Sequence, residues 1–165
     1  MQKSNITFDS IANQITHTNK FNELKSENHH GITRYIHVLR VSKYTYKISK
    51  FFHLDYVSAT RAALLHDFFT DEVSNLGSVN RLTKHPKCAL ENAKKHFDIS
   101  PLQEDIIIKH MFPVTITPPK YLESVIVDVV DDVASIYERV SGVTHEVGYT
   151  TMVVISMITN FIKFL

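Results

Sequence analysis

An all-α fold, a bundle of helices around one core, is predicted by three features of the sequence. Glycine and proline are scarce, at 4 and 5 of 165 residues. Alternation of polar with β-branched residues is rare, whereas apolar residues recur at three- and four-residue intervals along most of the chain. The hydrophobic fraction, 44%, lets a chain of this length bury a sizeable core. Residues 1–165 read as a single domain, with no internal repeat and no low-complexity stretch.

The elements follow in order. From Asn5 to about His17, Phe8, Ile11, Ala12 and Ile15 fall on one helical face. A turn carrying Phe21 and Leu24 leads to a polar stretch, Ser26–Gly31, that reads as a loop. A long helix is expected from Thr33 to Phe52, with His37 near its start and Tyr44, Tyr46, Phe51 and Phe52 as core candidates. Asp55 has the character of an N-cap for the next helix. That helix contains Ala59, Ala62, Ala63, Leu64 and Leu65 and ends in His66-Asp67; its alanines let neighbouring helices approach closely. Residues 68–84 read as an irregular loop that could cover a site.

His85-Pro86 is expected to start the following helix, because proline suits the first helical position. Ser100-Pro101-Leu102-Gln103 is a capping-box sequence opening a helix with Ile106, Ile107 and Ile108, which ends at His110. Pro113 to Pro119 reads as a rigid connector. Lys120–Val140 is expected to form a long, largely buried helix containing Asp128, Asp131 and Asp132, with Ser141-Gly142 breaking the pattern. A last helix, about residues 145–164, is apolar nearly all round from Met152 to Ile158. That run is shorter than the roughly 20 residues of a membrane span. It reads as a core helix or the interface of a homodimer, and no membrane association is expected.

Charge narrows the function. With 18 basic and 17 acidic residues the formal net charge is +1. Such a balance gives no electrostatic footprint for a nucleic-acid polymer, while a small anionic substrate needs only a local cluster of cations. A single cysteine, Cys88, excludes an intrachain disulfide, and Met1–Ser10 lacks the apolar stretch of a signal peptide. The expected compartment is the cytoplasm.

Histidine is abundant, with ten in the chain. Helical burial would turn His37, His66, Asp67, His85, His110 and Asp131 inward from separate helices, the adjacent pair excepted. Imidazole nitrogens and carboxylate oxygens suit a divalent transition metal such as Mn, Fe, Co, Ni or Zn. His37, His66, Asp67 and Asp131 would hold one ion. His85 and His110 would serve a second, with the Asp67 carboxylate bridging the two. Arg34, Arg40, Arg61, Lys84 and Lys109 lie near these positions, with Arg40, Lys84 and Lys109 as candidates for substrate phosphate. Asp71 and Glu72 are candidates for a water-orienting base on the loop.

The order His37, then His66-Asp67, then Asp131 resembles the HD-domain superfamily of metal-dependent phosphohydrolases. Local contexts carry the resemblance: Tyr35-Ile36-His37-Val38-Leu39-Arg40, Ala62-Ala63-Leu64-Leu65-His66-Asp67, Lys84-His85-Pro86, Ile108-Lys109-His110-Met111 and Ile126-Val127-Asp128-Val129-Val130-Asp131. The resemblance covers roughly residues 30–140, and the two middle histidines are similar to those of its two-metal branch. It selects Asp131 as the last ligand, leaving Asp128 either to orient a histidine or to sit in solvent.

Three departures are visible. Phe68-Phe69-Thr70 stands where many relatives have Ile-Gly and a lysine. A single His110 precedes Met111-Phe112-Pro113, whereas the cyclic-dinucleotide branch has paired histidines and Gly-Tyr-Pro, which argues against such substrates. Asp131-Asp132 replaces the usual Asp followed by lysine.

The resemblance implies hydrolysis of a nucleotide or another small phosphorylated metabolite by metal-activated water, with Asp67 and His66 at the centre of catalysis. Two other outcomes use the same ligands: an HD-type diiron oxygenase, and a non-catalytic metal-bearing sensor or interaction module.

Overall fold

A computed structural model describes residues 6–29, 32–70 and 78–143. Within these the chain is helical: α1 Phe8–Thr16, α2 Asn19–Asn22, a 3-10 turn Glu23–Lys25, α3 Arg34–Phe51, α4 Tyr56–Leu65, α5 Ser78–His96, α6 Pro101–Lys109 and α7 Leu122–Val143. The stretch expected as plain loop holds a minimal antiparallel ribbon, β1 Asn28–His29 and β2 Ile32–Thr33, with Asn28 opposite Thr33. Among the described residues no helix is long and apolar enough to cross a membrane. The expected helix over residues 145–164, and the dimer it suggested, lie outside the described residues.

α4 is the axis of the core. Ala59, Thr60, Ala62, Ala63, Leu64 and Leu65 are all inaccessible to solvent. Their small side chains let α3 pack along α4 more extensively than any other pair of helices, and α1, α6 and α7 also reach α4. As the sequence suggests, Asp55 caps α4, accepting the Ser58 backbone N–H at 3.0 Å. Thr33 caps α3 in the same way through Ile36. α6 opens with a complete capping box: Ser100 Oγ accepts from Gln103 N at 3.3 Å, and Gln103 Oε1 accepts from Ser100 N at 2.9 Å.

Four expectations are corrected. Pro86 does not open a helix: it lies inside α5, which begins at Ser78, so residues 78–84 are helical and not loop. The missing proline N–H is a local cost, set against the burial of Pro86 and of Ala89, Leu90 and Ala93 on the same helix. Ser141-Gly142 does not end α7, which runs to Val143; one glycine costs about 1 kcal/mol in a helix, too little to stop one this long. α7 is also not largely buried. Val127, Asp128, Val130, Asp131, Ala134 and Glu138 face the core, while Leu122, Val125, Val129 and Ile136 are exposed. Phe51 and Phe52, expected in the core, are exposed at the end of α3, where each covers part of the other at 5.1 Å between ring centroids.

The α3–α4 turn turns on one residue. His53 N–H reaches Lys50 O at 3.2 Å and Leu54 N–H reaches Ser49 O at 2.9 Å, the hydrogen bonds of a Schellman ending. His53 therefore adopts φ 57°, a left-handed conformation that costs a residue with a Cβ roughly 1 kcal/mol. His53 is exposed and has no packing role to lose. The variant His53→Gly should raise stability by about 1 kcal/mol, and His53→Val should lower it. Thermal melts read this as a Tm shift of about 2–4 °C in opposite directions; equal melting of the two variants would contradict the strain.

Candidate metal centre

Five elements deliver the six expected ligands to one buried place. His37 is in the first turns of α3, and His66 caps the end of α4 with Asp67 next to it. His85 lies in α5, His110 caps the end of α6, and Asp131 sits in the middle of α7. None is more than 7% exposed. His37 Nε2 is 2.9 Å from Asp131 Oδ1, and His66 Nε2 is 3.4 Å from the same oxygen. On the other side, His85 Nε2 and His110 Nε2 lie 3.4 and 3.7 Å from Asp67 Oδ1, and 2.8 Å from each other. Three overlapping groups have ligand atoms within 4.8 Å of one another: His37, His66, Asp67; His66, His110, Asp131; and Asp67, His85, His110.

The spacing fits coordinated ions. With metal–ligand bonds of about 2.0–2.2 Å, neighbouring donors of one tetrahedral or octahedral ion sit about 2.8–3.6 Å apart. The observed separations fall in or next to that range. The tautomers fit as well. His66 Nδ1 is 2.7 Å from Ala63 O, and His110 Nδ1 is 2.7 Å from Ile107 O. A carbonyl oxygen only accepts, so each Nδ1 carries the hydrogen, and in the neutral ring the lone pair is on Nε2, aimed inward. His110 Nε2 then faces His85 Nε2 at 2.8 Å. Two nitrogens that close require a proton or a cation between them. The residues present therefore fit one or two divalent transition-metal ions.

Two residues complete the surroundings. Arg34, named in the sequence only as a nearby cation, is buried: Nη1 donates to Phe69 O at 2.7 Å and lies 3.3 Å from Glu27 Oε2. Its Nε is 3.9 Å from Asp67 Oδ2, and its guanidinium stacks 3.9 Å above the Phe69 ring. Arg34 thus stands on the far side of Asp67 from His85 and His110. Glu138 was not foreseen. It is 3% exposed, and its Oε2 accepts from His37 Nδ1 at 2.9 Å while Oε1 takes the Arg40 guanidinium. Its position, two helical turns after Asp131 and so on the same face of α7, was the available signal.

The remaining candidates are less central. Arg40 is bound by Glu138 through one face of its guanidinium, and its side chain stays part-exposed. Lys84 is exposed, and Lys109 Nζ donates to Pro118 O at 3.4 Å. Arg61 donates to Gln14 on α1. Asp128 is buried and does not lie in solvent. Burial first, then the charges of Asp132 and Asp131, raise its pKa to about 7. Asp71 and Glu72 lie outside the described residues.

The protonation of the cluster follows its charges. Burial works against a proton on His37, but hydrogen bonds to Asp131 and Glu138 and the charges of Asp131 and Asp67 prevail and raise its pKa to about 10. His66 is likewise raised: burial opposes, and Asp131 and Asp67 prevail. Burial and then the charges of His66 and His85 push His110 down to about 3. Asp131 lies well below the usual carboxylate range: burial opposes ionisation, and the charge of His66 and the His37 hydrogen bond overcome it.

A raised histidine pKa gives stability that is complete below 6.5 and is lost as pH climbs through the folded value. Chelator-treated protein should therefore lose Tm between pH 7 and pH 10 as His37 loses its proton. A divalent ion must displace the same proton, so its affinity should rise over that range. Melts with chelator and with Mn2+ at several pH values test this; a flat Tm in chelator would contradict the assignment.

Comparison with known proteins agrees with this geometry. No curated protein and no solved structure matches the chain significantly. The family model for the HD domain matches residues 34–136, from the first turn of α3 into the second half of α7, and spans all six candidate ligands. That match takes in well over half of the chain, and the protein belongs to the HD domain family.

Proposed function

We propose that this protein is a metal-dependent phosphohydrolase that uses activated water on a nucleotide or another small phosphorylated metabolite. HD domains bind divalent metals, and the family consists mostly of metal-dependent phosphohydrolases. The observation that carries the reading is the place of Asp67. Its carboxylate belongs both to the group with His37 and His66 and to the group with His85 and His110, the position of a carboxylate shared by two ions.

Divalent ions held there supply polarisation of a phosphoryl oxygen and a bound water of near-neutral pKa. The chain does the rest. Arg34 beside Oδ2 and the two imidazoles near Oδ1 fix the Asp67 carboxylate. From there it accepts the hydrogen bond of the attacking water and aims the water's lone pair at phosphorus. The Ala63 carbonyl holds the His66 ring so that Nε2 keeps facing Asp131. Burial of the whole set keeps bulk water from screening the charges that build up in the transition state. Lys84 and Lys109, each one residue before a candidate ligand histidine, and the part-exposed Arg40 are the cations placed to meet the leaving phosphate.

The test is phosphate release by protein stripped of metal and reloaded with Mn2+, Co2+ or Fe2+. The substrate panel holds nucleotides, dinucleoside polyphosphates and simple phosphomonoesters. Release should depend on the added metal, and Asp67→Asn and His66→Ala should each lower it by about a hundredfold or more. His110→Ala should reduce bound metal from two ions to one. Metal-loaded wild-type protein that releases no phosphate from any of these would overturn hydrolysis. Oxygen uptake with iron would then point to the diiron oxygenase, and metal binding alone to a sensor.

A further inference from the structure

The histidines of the centre are backed in two different ways. His66 and His110 lean on neutral acceptors, the carbonyls of Ala63 and Ile107, each at 2.7 Å. His37 leans on a carboxylate: Glu138 Oε2 at 2.9 Å, with a side chain only 1% exposed. A carboxylate behind an imidazole makes Nε2 more basic and raises its affinity for a cation. Glu138 is not left as an isolated buried charge, because Arg40 binds its other oxygen. Arg40 is in turn fixed 5.3 Å above the Tyr137 ring, and its side chain is 28% exposed. A line of contacts runs from the half-open guanidinium through Glu138 and His37 to Asp131, 2.9 Å beyond His37 Nε2.

The negative charge is unevenly shared as a result. Asp131 and Glu138 both stand on the His37 side, while Asp67 is common to the two sides. Around His85 and His110, Asp67 is the acid in the ligand group. In a buried volume where Coulomb forces are poorly screened, that difference separates the two positions.

We infer that Glu138, held by Arg40, is a positioning residue for His37 and makes the His37–His66–Asp131 position the tighter of two unequal metal sites. This rests on the two-ion reading above. The first divalent ion enters on the His37 side, and the second, at His85 and His110, exchanges more readily.

Titration of chelator-stripped protein with Co2+, followed by visible absorbance and by equilibrium dialysis, tests the ranking. Wild-type protein should show a tight and a weak class. His85→Ala should remove the weak class and leave the tight one, which assigns each class to its side. Glu138→Gln keeps the shape and removes the charge, and should weaken the tight class by about 10- to 100-fold with the weak class unchanged. Glu138→Asp should recover part of the loss. Arg40→Gln, at a part-exposed residue, should weaken the tight class in the same direction and by less.

A merely structural role for Glu138 would lower both classes together and would lower the melting temperature of the stripped protein in parallel. That pattern, or a tight class unchanged in Glu138→Gln, overturns the inference while the two-ion reading stands. Wild-type protein that takes up a single Co2+ overturns the two-ion reading, and the ranking with it.

Discussion

Buried carboxylates facing imidazoles are the constraint on which the molecule is built. Asp67 and Asp131 are almost inaccessible to solvent, and so is Glu138 behind them. A carboxylate in such surroundings is costly unless positive charge stands against it. The protein supplies that charge by design: Arg34 beside Asp67, Arg40 on Glu138, and His37 and His66 against Asp131. The negative charge that raises the pKa of His37 and His66 marks where a cation is electrostatically welcome. Helix endings support the same end, since His66 and His110 each cap a helix through a backbone carbonyl and thereby keep Nε2 inward.

The fold makes this arrangement possible at small cost. α4 carries alanines where other helices carry bulk, so α3 comes close and brings His37 within 5.4 Å of the His66 ring, centroid to centroid. α7 sets Asp131 against His37 and His66, and α6 brings His110 to the other side, next to His85. The apolar residues around them, Leu64, Leu65, Ile106, Ile107 and Val127, are all fully buried and give the cluster rigid walls. A site assembled from five elements depends on every one of those packings. The polar residues of the centre are thus part of the core and not a patch on its surface.

Much of this was legible in the sequence, for reasons that can be named. His66-Asp67 stands out because two polar residues end a run of buried small ones, and the caps Asp55 and Ser100–Gln103 announce their helices. The sequence pattern places His85 among the candidate ligands but at the wrong point of its helix. The first-turn preference of proline was given more weight than tertiary packing, which carries α5 through Pro86. Phe51, Phe52 and the outer valines of α7 look like core by composition, yet composition does not say which face of a helix meets a neighbour. Glu138 went unseen because the acids were sought only near the final motif, although its two-turn spacing from Asp131 was there to read. The ion pair of Arg40 with Glu138 is not legible in the sequence, because the two lie almost a hundred residues apart.

The central claim is that His37 and His66 share an ion whose neighbour is reached through Asp67. Anomalous diffraction from crystals grown with Mn2+ measures this most directly. The account predicts two peaks, one within bonding distance of His37, His66 and Asp131, the other of His85 and His110, with the Asp67 carboxylate touching both. A peak bound by neither His37 nor His66, or an Asp67 carboxylate in contact with no ion, would contradict it.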